Sequence, residues 1–586
     1  MELTGRVPES PSLSADQLSV VERPLGSRTI VTAGPGTGKT HTLVSRIDHL
    51  IGDRSDLAGQ DILSLSFSRA AVGVLRRRIS SLSTRGSRVR SATFDSFASR
   101  LLDTYGRMSL EGADYDRRIQ LAIELLNSQA IDDLDEIRHI VIDESQDLTG
   151  VRADFVLKLL DVTDCGFTVF ADQAQAIYEF GRGMRDARPF VERLEAAYVD
   201  TVEVLSLTTN FRTADPQLLS VAAHGELIRN ESTVRNTVVD RFDRLTRELP
   251  SAGAITDVVW MLQDASDTAI LTRRNSEALT ISSALWASGV QHEFRRRADD
   301  PVIGGWLSRL QQLSESRRIT FSDLEAASAF LPWAPADTWA ALSRAARPRK
   351  GVLHLGQVAE ALAAHTPPDE LIESSLGGIV VSSIHRAKGL EFDTVLLVPF
   401  DIATDGDWLQ EVRVLYVGLT RARQNLMILK PVDDGRWHYT ERAQRWRRIE
   451  FAGKRRYTTG VEIHGSDVFT FHPSGAFAPP EVPLDVCGYM LSAVRQGDPV
   501  DLVRRAGTSE VRYDVLHNGQ WVATTTEQFG NVLADRLDLE TPPARIDGCR
   551  VETVATTALP ASVAEFYGLS LQLVPDCRIQ GVGTWT

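Results

Sequence analysis

Residues 33–40 read Ala-Gly-Pro-Gly-Thr-Gly-Lys-Thr and follow directly on the apolar run Thr29-Ile30-Val31. A buried strand, a glycine-rich turn and a Lys-Thr pair opening a helix describe the phosphate loop of a nucleotide-binding α/β sheet. Glycines at 34, 36 and 38 let the backbone wrap phosphate oxygens with its N–H groups inward. The helix starting at Lys39-Thr40 then turns its positive end to the anion. Ala33, Gly34, Pro35, Gly36, Thr37 and Gly38 are the expected cradle, Lys39 the contact to the outer phosphates and Thr40 the hydroxyl ligand of Mg²⁺. Further along, Ile140-Val141-Ile142 leads into Asp143-Glu144-Ser145-Gln146-Asp147. In this pattern Asp143 suits the metal and Glu144 suits a base that orients an attacking water. The two segments, in this order, predict a site for ATP and Mg²⁺ that cleaves the γ-phosphate.

Working outward, Ile62–Ser68, Phe167–Asp172 and the carboxylate strand alternate with helical stretches, including a basic one through Arg76-Arg77-Arg78. That alternation predicts a parallel sheet covered on both faces, with polar residues at the carboxyl ends of its strands. A second α/β block is expected to begin near Val202–Leu207. It continues through Ala269–Thr272, Ile379–Ser383 and Thr394–Val398 and ends with Asn425–Leu429, interrupted by a helical insertion at 291–375. Beyond residue 431 the texture becomes β-rich. Val511–Val515 and Gln520–Thr524 flank His517-Asn518-Gly519, where Asn-Gly favours a tight hairpin, and Val468–Phe471 and Val551–Val554 are further strand candidates.

Bulk properties bound the function. At 586 residues the chain is too long for a single core, and 43% hydrophobic with 24% charged residues is an ordinary globular composition. Neither a secretory leader nor a membrane-spanning run is evident, so the expected location is cytoplasmic, with no membrane partner. The four cysteines, at 165, 487, 549 and 577, form no Cys-x-x-Cys pair, which argues against a zinc or iron–sulfur site and for buried, inert thiols. A net charge of −14 argues against a protein that coats nucleic acid by bulk charge, but not against one that threads a strand through a locally basic groove.

From residue 13 to about 430 the chain resembles the UvrD/Rep-like superfamily 1 DNA helicases, through an ordered series of motifs. Leu13-Ser14-Ala15-Asp16-Gln17 resembles the motif that reads adenine, which makes Gln17 the base contact. Ser66–Ala71 resembles the strand-contact motif, here with Phe67, and Thr93-Phe94-Asp95-Ser96-Phe97 a second one, through Thr93 and Phe94. By the same resemblance Asp172–Phe180 carries the γ-phosphate sensor Gln175 and the base-stacking pair Tyr178 and Phe180. Asn210-Phe211-Arg212-Thr213 sets Phe211 against adenine and Arg212 on the γ-phosphate. His385–Phe392 supplies the DNA contact His385 and the ribose contact Glu391, and Tyr416–Arg423 the second arginine finger, Arg421. The departures are His41 for an arginine, Ala70 for a lysine beside Arg69, and Asp95 for a histidine.

The resemblance implies two RecA-like P-loop lobes with parallel sheets and small helical insertions, followed by a β-rich C-terminal domain. The expected boundaries are 1–205 (insertion about 98–135), 206–430 (insertion about 291–375) and 431–586. It implies catalysis by Lys39, Asp143, Glu144, Gln175, Arg212 and Arg421, with single-stranded or tailed DNA as partner and movement 3′ to 5′. Both insertions are small beside those of larger relatives, as in a stripped-down motor whose robust unwinding depends on a protein partner. The other readings are an ATP-switched subunit gating a partner nuclease or repair protein and, from a different class, a scaffold with a vestigial motor. The intact Lys39, Asp143, Glu144, Gln175, Arg212 and Arg421 argue against the scaffold.

In the C-terminal part, a linker from Arg436 to Arg456 carries eight basic residues against Glu441 and Glu450, interleaved with Trp437, Tyr439, Trp446 and Phe451 and followed by Tyr457. This is the composition of a nucleic-acid contact. A solvated helix docking its aromatics on the motor is the alternative. Asp547, Glu552 and Asp576 are too scattered for a two-metal nuclease, so 431–586 is expected to dock a protein partner or guide DNA.

Overall fold

The computed structural model describes residues 13–52, 57–67, 69–82, 89–106, 115–128, 131–177, 188–230, 234–295, 302–314, 317–364, 371–372, 378–402, 407–431, 436–452, 455–472, 485–506, 510–537, 539 and 541–585. Two compact units emerge. The first comprises Met1–Leu249, Lys388–Asp393 and Asp401–Leu426; the second comprises Pro250–Ala387, Thr394–Phe400 and Met427–Thr586.

In the first unit, β1 (Arg28–Ala33), β2 (Ile62–Ser66), β3 (Arg90–Thr93), β4 (His139–Ile142), β5 (Gly166–Ala171) and β6 (Val202–Leu207) form one sheet in the order β3-β2-β4-β5-β1-β6. Every pair is parallel. β2, β4 and β5 are buried along their whole length, as a sheet covered on both faces requires. One face carries a core through Phe94, Phe97, Ile119, Phe155 and Phe167. The other packs Leu43, Ile47, Leu75 and Ile79 on Val141 and Phe170. Val202–Leu207 was expected to open the second block, but as β6 it closes the first sheet, with Arg28↔Val202 through Ala33↔Leu207 in register. Its mostly exposed pattern is that of an edge strand, and β1, the strand it pairs with, lies far away in sequence.

The second unit contributes β7 (Ser251–Gly253), β8 (Thr268–Thr272), β9 (Glu293–Phe294), β10 (Ile303–Gly304), β11 (Arg318–Thr320), β12 (Val352–His354), β13 (Ile379–Ser383), most of β14 (Phe392–Leu397) and the end of β15 (Ala422–Leu429). It continues with β16 (Trp437–Thr440), β17 (Arg445–Ala452), β18 (Arg455–Ile463), β19 (Val468–Phe469), β20 (Pro499–Arg504), β21 (Tyr513–His517), β22 (Gln520–Thr525), β23 (Arg545–Ala558) and β24 (Leu573–Thr584). A six-stranded sheet has the order β7-β15-β14-β8-β13-β9, parallel at β8–β13, β13–β9, β8–β14 and β15–β7. The fold class is thus α/β, with two parallel sheets and, in the second unit, a β-rich C-terminal part.

That part is a ten-stranded antiparallel sheet, β16-β17-β18-β24-β23-β20-β21-β22-β19, with β10 pairing β23. The Asn-Gly hairpin is present: Asn518 (φ 49°) and Gly519 (φ 78°) join β21 to β22. The basic segment 436–456 is neither a linker nor a helix. It forms β16, β17 and the start of β18, an antiparallel ribbon in which Ile449 and Val461 are buried on one side and Trp437, opposite Arg448, is buried on the other.

The insertion is helical as expected, with helices Trp306–Leu313, Phe321–Ala326, Pro335–Ala345 and Leu355–Ala364 around the β11–β12 pair. Its core of Leu307, Leu324, Leu342, Leu353 and Val358 includes Leu573 of β24. The Leu573 amide donates to Gln311 Oε1 (2.6 Å), and the Ser308 amide to Thr556 Oγ1 (3.0 Å). Insertion and C-terminal sheet are one packed body. Among the described residues no helix is long and apolar enough to cross a membrane. Cys549 and Cys577 are buried and Cys165 and Cys487 half-buried; burial raises all four thiols, Cys487 to about 12.

Candidate functional site

β1 delivers the phosphate loop and the helix Lys39–Gly52 leaves it. Gly36 and Gly38 sit at φ 79° and 80°, where a side chain is strained. A Cβ on Gly36 would come within 2.7 Å of the Asn210 amide, and one on Gly38 within 2.5 Å of Gln17 Nε2. Loop 208–213 clasps the turn: the Phe211 amide donates to Gly36 O (2.7 Å) and Asn210 Nδ2 to Pro35 O (3.1 Å). Gln17 arrives by a capping box, its Oε1 accepting from the Ser14 amide (3.0 Å) while Nε2 donates to Thr37 O (3.2 Å). Phe211, 53% exposed, offers a ring beside Gly38.

β4 ends at Asp143, which is buried, and Glu144, which adopts a left-handed conformation (φ 54°). A non-glycine residue held there costs about 1–3 kcal/mol, which the surrounding bonds must sustain. Asp143 Oδ1 accepts from the Glu144 amide (2.9 Å), and Gln146 Nε2 donates to Glu144 Oε2. Burial, reinforced by Glu144, raises the Asp143 carboxyl to about 7. Burial opposes ionisation of Glu144 too, but Lys39, Lys388 and Arg421 outweigh it and bring that carboxyl to about 2. Lys388 Nζ donates to Asp147 Oδ1 and to Gln175 O.

From β5 the chain turns at Asp172. Gln175 Nε2 donates to Asp172 Oδ2 (2.8 Å), and Arg421 Nη2 donates to Gln175 Oε1 (2.6 Å). Arg421 is buried, held by Val417 O (2.9 Å) and Leu390 O (3.2 Å), and burial, aided by Arg212, lowers its pKa. Arg212 donates to Thr420 O (2.8 Å) and to Glu391. Gln17, the phosphate loop, Asp143, Glu144, Gln175, Phe211, Arg212, Glu391 and Arg421 therefore lie in one compact unit.

Sequence reasoning missed Arg229, whose Nη2 pairs with Asp172 (2.9 Å) and would meet a Cβ on Gly34 at 3.1 Å. No local signal marks it, since it sits in the short helix Gly225–Arg229 and reaches Asp172 only through the fold. Lys388 lay inside a quoted motif without a role.

The expected DNA contacts fare differently. Phe94, 1% exposed, is a core residue of the first sheet and cannot stack on a base. Its apolar ring opens a helix whose inner face covers that sheet. Thr93 is buried and caps this helix, accepting from the Ser96 amide (3.2 Å). Phe67 is half-buried against the same core, and His385, half-buried, follows β13 in the second unit. Asp95 pairs with Arg152 (2.7 Å). Tyr178 and Phe180 lie outside the described residues, as do the side chains of Arg69 and Ala70.

Among the described residues no group of three or more His, Cys, Asp or Glu could hold a metal unaided. The Thr40 hydroxyl and the Asp143 carboxylate are hard oxygen donors of the kind Mg²⁺ takes alongside phosphates and water, so the donor set fits that ion.

Residues 13–111 and 107–189 match the UvrD/REP helicase N-terminal domain, and residues 378–429 the UvrD-like helicase C-terminal domain. The ATP-dependent DNA helicase UvrD2 of Mycobacterium tuberculosis is 26% identical over 351 residues, covering 50% of this chain and 47% of that protein. The ATP-dependent DNA helicase srs2 of Schizosaccharomyces pombe is 32% identical over 81 residues, 14% of this chain and 9% of that one. Among solved structures, the Pif1 helicase from Candida albicans aligns over 71% of this chain and 94% of its own, at 14% identity and a TM-score of 0.37. The chain spans about half the length of the UvrD2 relatives it matches. Residues 13–189 thus match the N-terminal domain, and residues 378–429 the C-terminal domain, of the UvrD-like helicases, and over these segments the chain is homologous to them.

Proposed function

We propose that the chain is an ATP-dependent translocase on single-stranded DNA, a 3′–5′ helicase that couples hydrolysis to strand movement. The observation that carries this reading is the buried relay Asp172–Gln175–Arg421 beside the phosphate loop. A sensor glutamine bonded to an arginine finger links the state of the γ-phosphate to the segment that runs on toward Tyr178 and Phe180. Lys39 would reach the outer phosphates, Thr40 and Asp143 would hold Mg²⁺, Glu144 would orient the attacking water, and Arg212 and Arg421 would stabilise charge on the transferred group. Mg²⁺ held there would offset charge on the phosphates. Gln17 and Phe211 would hold adenine and Glu391 the ribose. Tyr178, Phe180, Phe67 and His385 are the proposed strand contacts, gripping bases by stacking and so without reading sequence.

The test is steady-state ATPase with and without single-stranded DNA, followed by unwinding of duplexes with 3′ or 5′ tails. Wild type is expected to be strongly stimulated and to require a 3′ tail, and Lys39→Ala to lose turnover. Turnover indifferent to DNA would overturn the translocase, and unchanged ATPase in Lys39→Ala would overturn the site.

A further inference from the structure

The ribbon at the edge of the ten-stranded sheet has a chemistry the ATP site does not use. β17 and β18 pair through Glu450↔Tyr457, Phe451↔Arg456 and Ala452↔Arg455. Residues directly opposite share a face, so Phe451 and Arg456 lie on one side and Tyr457 and Arg455 on the other. Both sides face water: Phe451 is 64% and Tyr457 43% exposed, and Arg455 and Arg456 are exposed. One register step inward, Ile449 is buried, so these last rungs extend past the core. Lys454 adds a further positive charge in sequence between the strands.

An aromatic beside a cation on each face of an exposed ribbon, in a chain of net charge −14, is a local reversal of sign. Aromatic rings stack on any base and arginines follow the phosphates, so the pattern complements a flexible single strand. Arg445, by contrast, is neutralised inside the sheet by Asp467 (2.9 Å) and belongs to the scaffold of the ribbon.

We infer that the β17–β18 hairpin is a second grip for single-stranded nucleic acid, apart from the ATP site and independent of nucleotide. This rests on the translocase reading above. Such a grip would keep the strand in place while the motor exchanges nucleotide.

The test is fluorescence anisotropy of labelled oligo(dT) of about 20 nucleotides with the full chain, without nucleotide. Phe451→Ala/Tyr457→Ala is expected to weaken binding about tenfold or more, the loss of two stacking contacts. Arg455→Ala/Arg456→Ala is expected to weaken it comparably and lower the salt slope by about 1.4, from 0.7 per phosphate contact on a single strand. Arg455→Lys/Arg456→Lys should restore the slope. ATPase without DNA should stay at the wild-type value in all three variants. Variants that bind within twofold of wild type, with the same slope, would overturn the grip and make the hairpin a protein-facing surface. Wild type that neither binds the oligonucleotide nor responds to it in ATPase would overturn the translocase reading itself, a result separable from the first.

Discussion

Replacing Arg229 with alanine probes a contact that no motif announces. Its guanidinium bonds Asp172 Oδ1 at 2.9 Å, with the carboxylate side chain fully buried and the arginine 22% exposed. A hydrogen bond between charged groups contributes about 1.5–3 kcal/mol, and breaking a fully buried pair costs about 3–5 kcal/mol. Asp172 keeps Gln175 Nε2 (2.8 Å) and the Ala174 amide (3.2 Å), which holds the expected loss toward the lower end, about 2 kcal/mol. The loss should also reach chemistry. Asp172 orients Gln175, which receives Arg421, and a small displacement of such a relay lowers kcat by about tenfold or more. Nine of the ten tryptophans lie in the second unit, so stability is best read by native-state amide exchange on β1, β4 and β5. A double-mutant cycle with Asp172→Asn should return a coupling of about 2 kcal/mol. The reference is Arg247→Ala, an 80% exposed side chain 3.7 Å from Asp243, expected to cost next to nothing. If Arg229→Ala matched Arg247→Ala in both exchange and kcat, the positioning argument would fail.

Two further outcomes follow from the site and the core. Glu144→Gln should keep ATP binding, measured by equilibrium titration, and lose hydrolysis by about a hundredfold or more, because the amide cannot act as a base; hydrolysis near the wild-type rate would remove Glu144 from that role. His139, fully buried between Leu25 O (Nδ1, 2.7 Å) and Thr168 Oγ1 (Nε2, 3.0 Å), has its pKa lowered to about 3 by burial and then by Arg46. The unfolded chain binds this proton more readily, so the contribution is present above the ordinary histidine pKa and is lost on acidification. From about pH 7.5 to about pH 5 the loss through this one group is about 2 kcal/mol. His139→Gln should flatten the acid limb of amide-exchange stability by that amount, and an unchanged limb would refute the assignment.

The ATP site was legible because its chemistry is local: Ala33–Thr40 and Asp143–Asp147 are contiguous, and a strand followed by such residues has few other uses. The Asn518-Gly519 hairpin was legible for the same reason, as two residues with positive φ determine the turn. Legibility ended where pairing is non-local. β6 follows a helix and reads equally well as the start of a new sheet, and only its register with β1 decides. Arg436–Arg456 shows no apolar period, because its buried side is set by Val461 and Ile449 across the ribbon. Phe94 misled because an aromatic in a familiar motif was read as exposed, whereas the helix it opens turns that position into the core. Arg229 could not be found at all, since its partner lies 57 residues away.

The pairing of β10 with β23, and of Gln311 with Leu573, has a consequence in time. On a ribosome adding about 5–20 residues per second, the strand that completes the insertion emerges roughly 10–40 s after the insertion's own helices. During that interval Leu307, Leu324 and Leu342 lack the Leu573 side of their core. A nascent chain paused between the two is therefore a target for holding chaperones, and slow codons placed after residue 364 would lengthen its exposure.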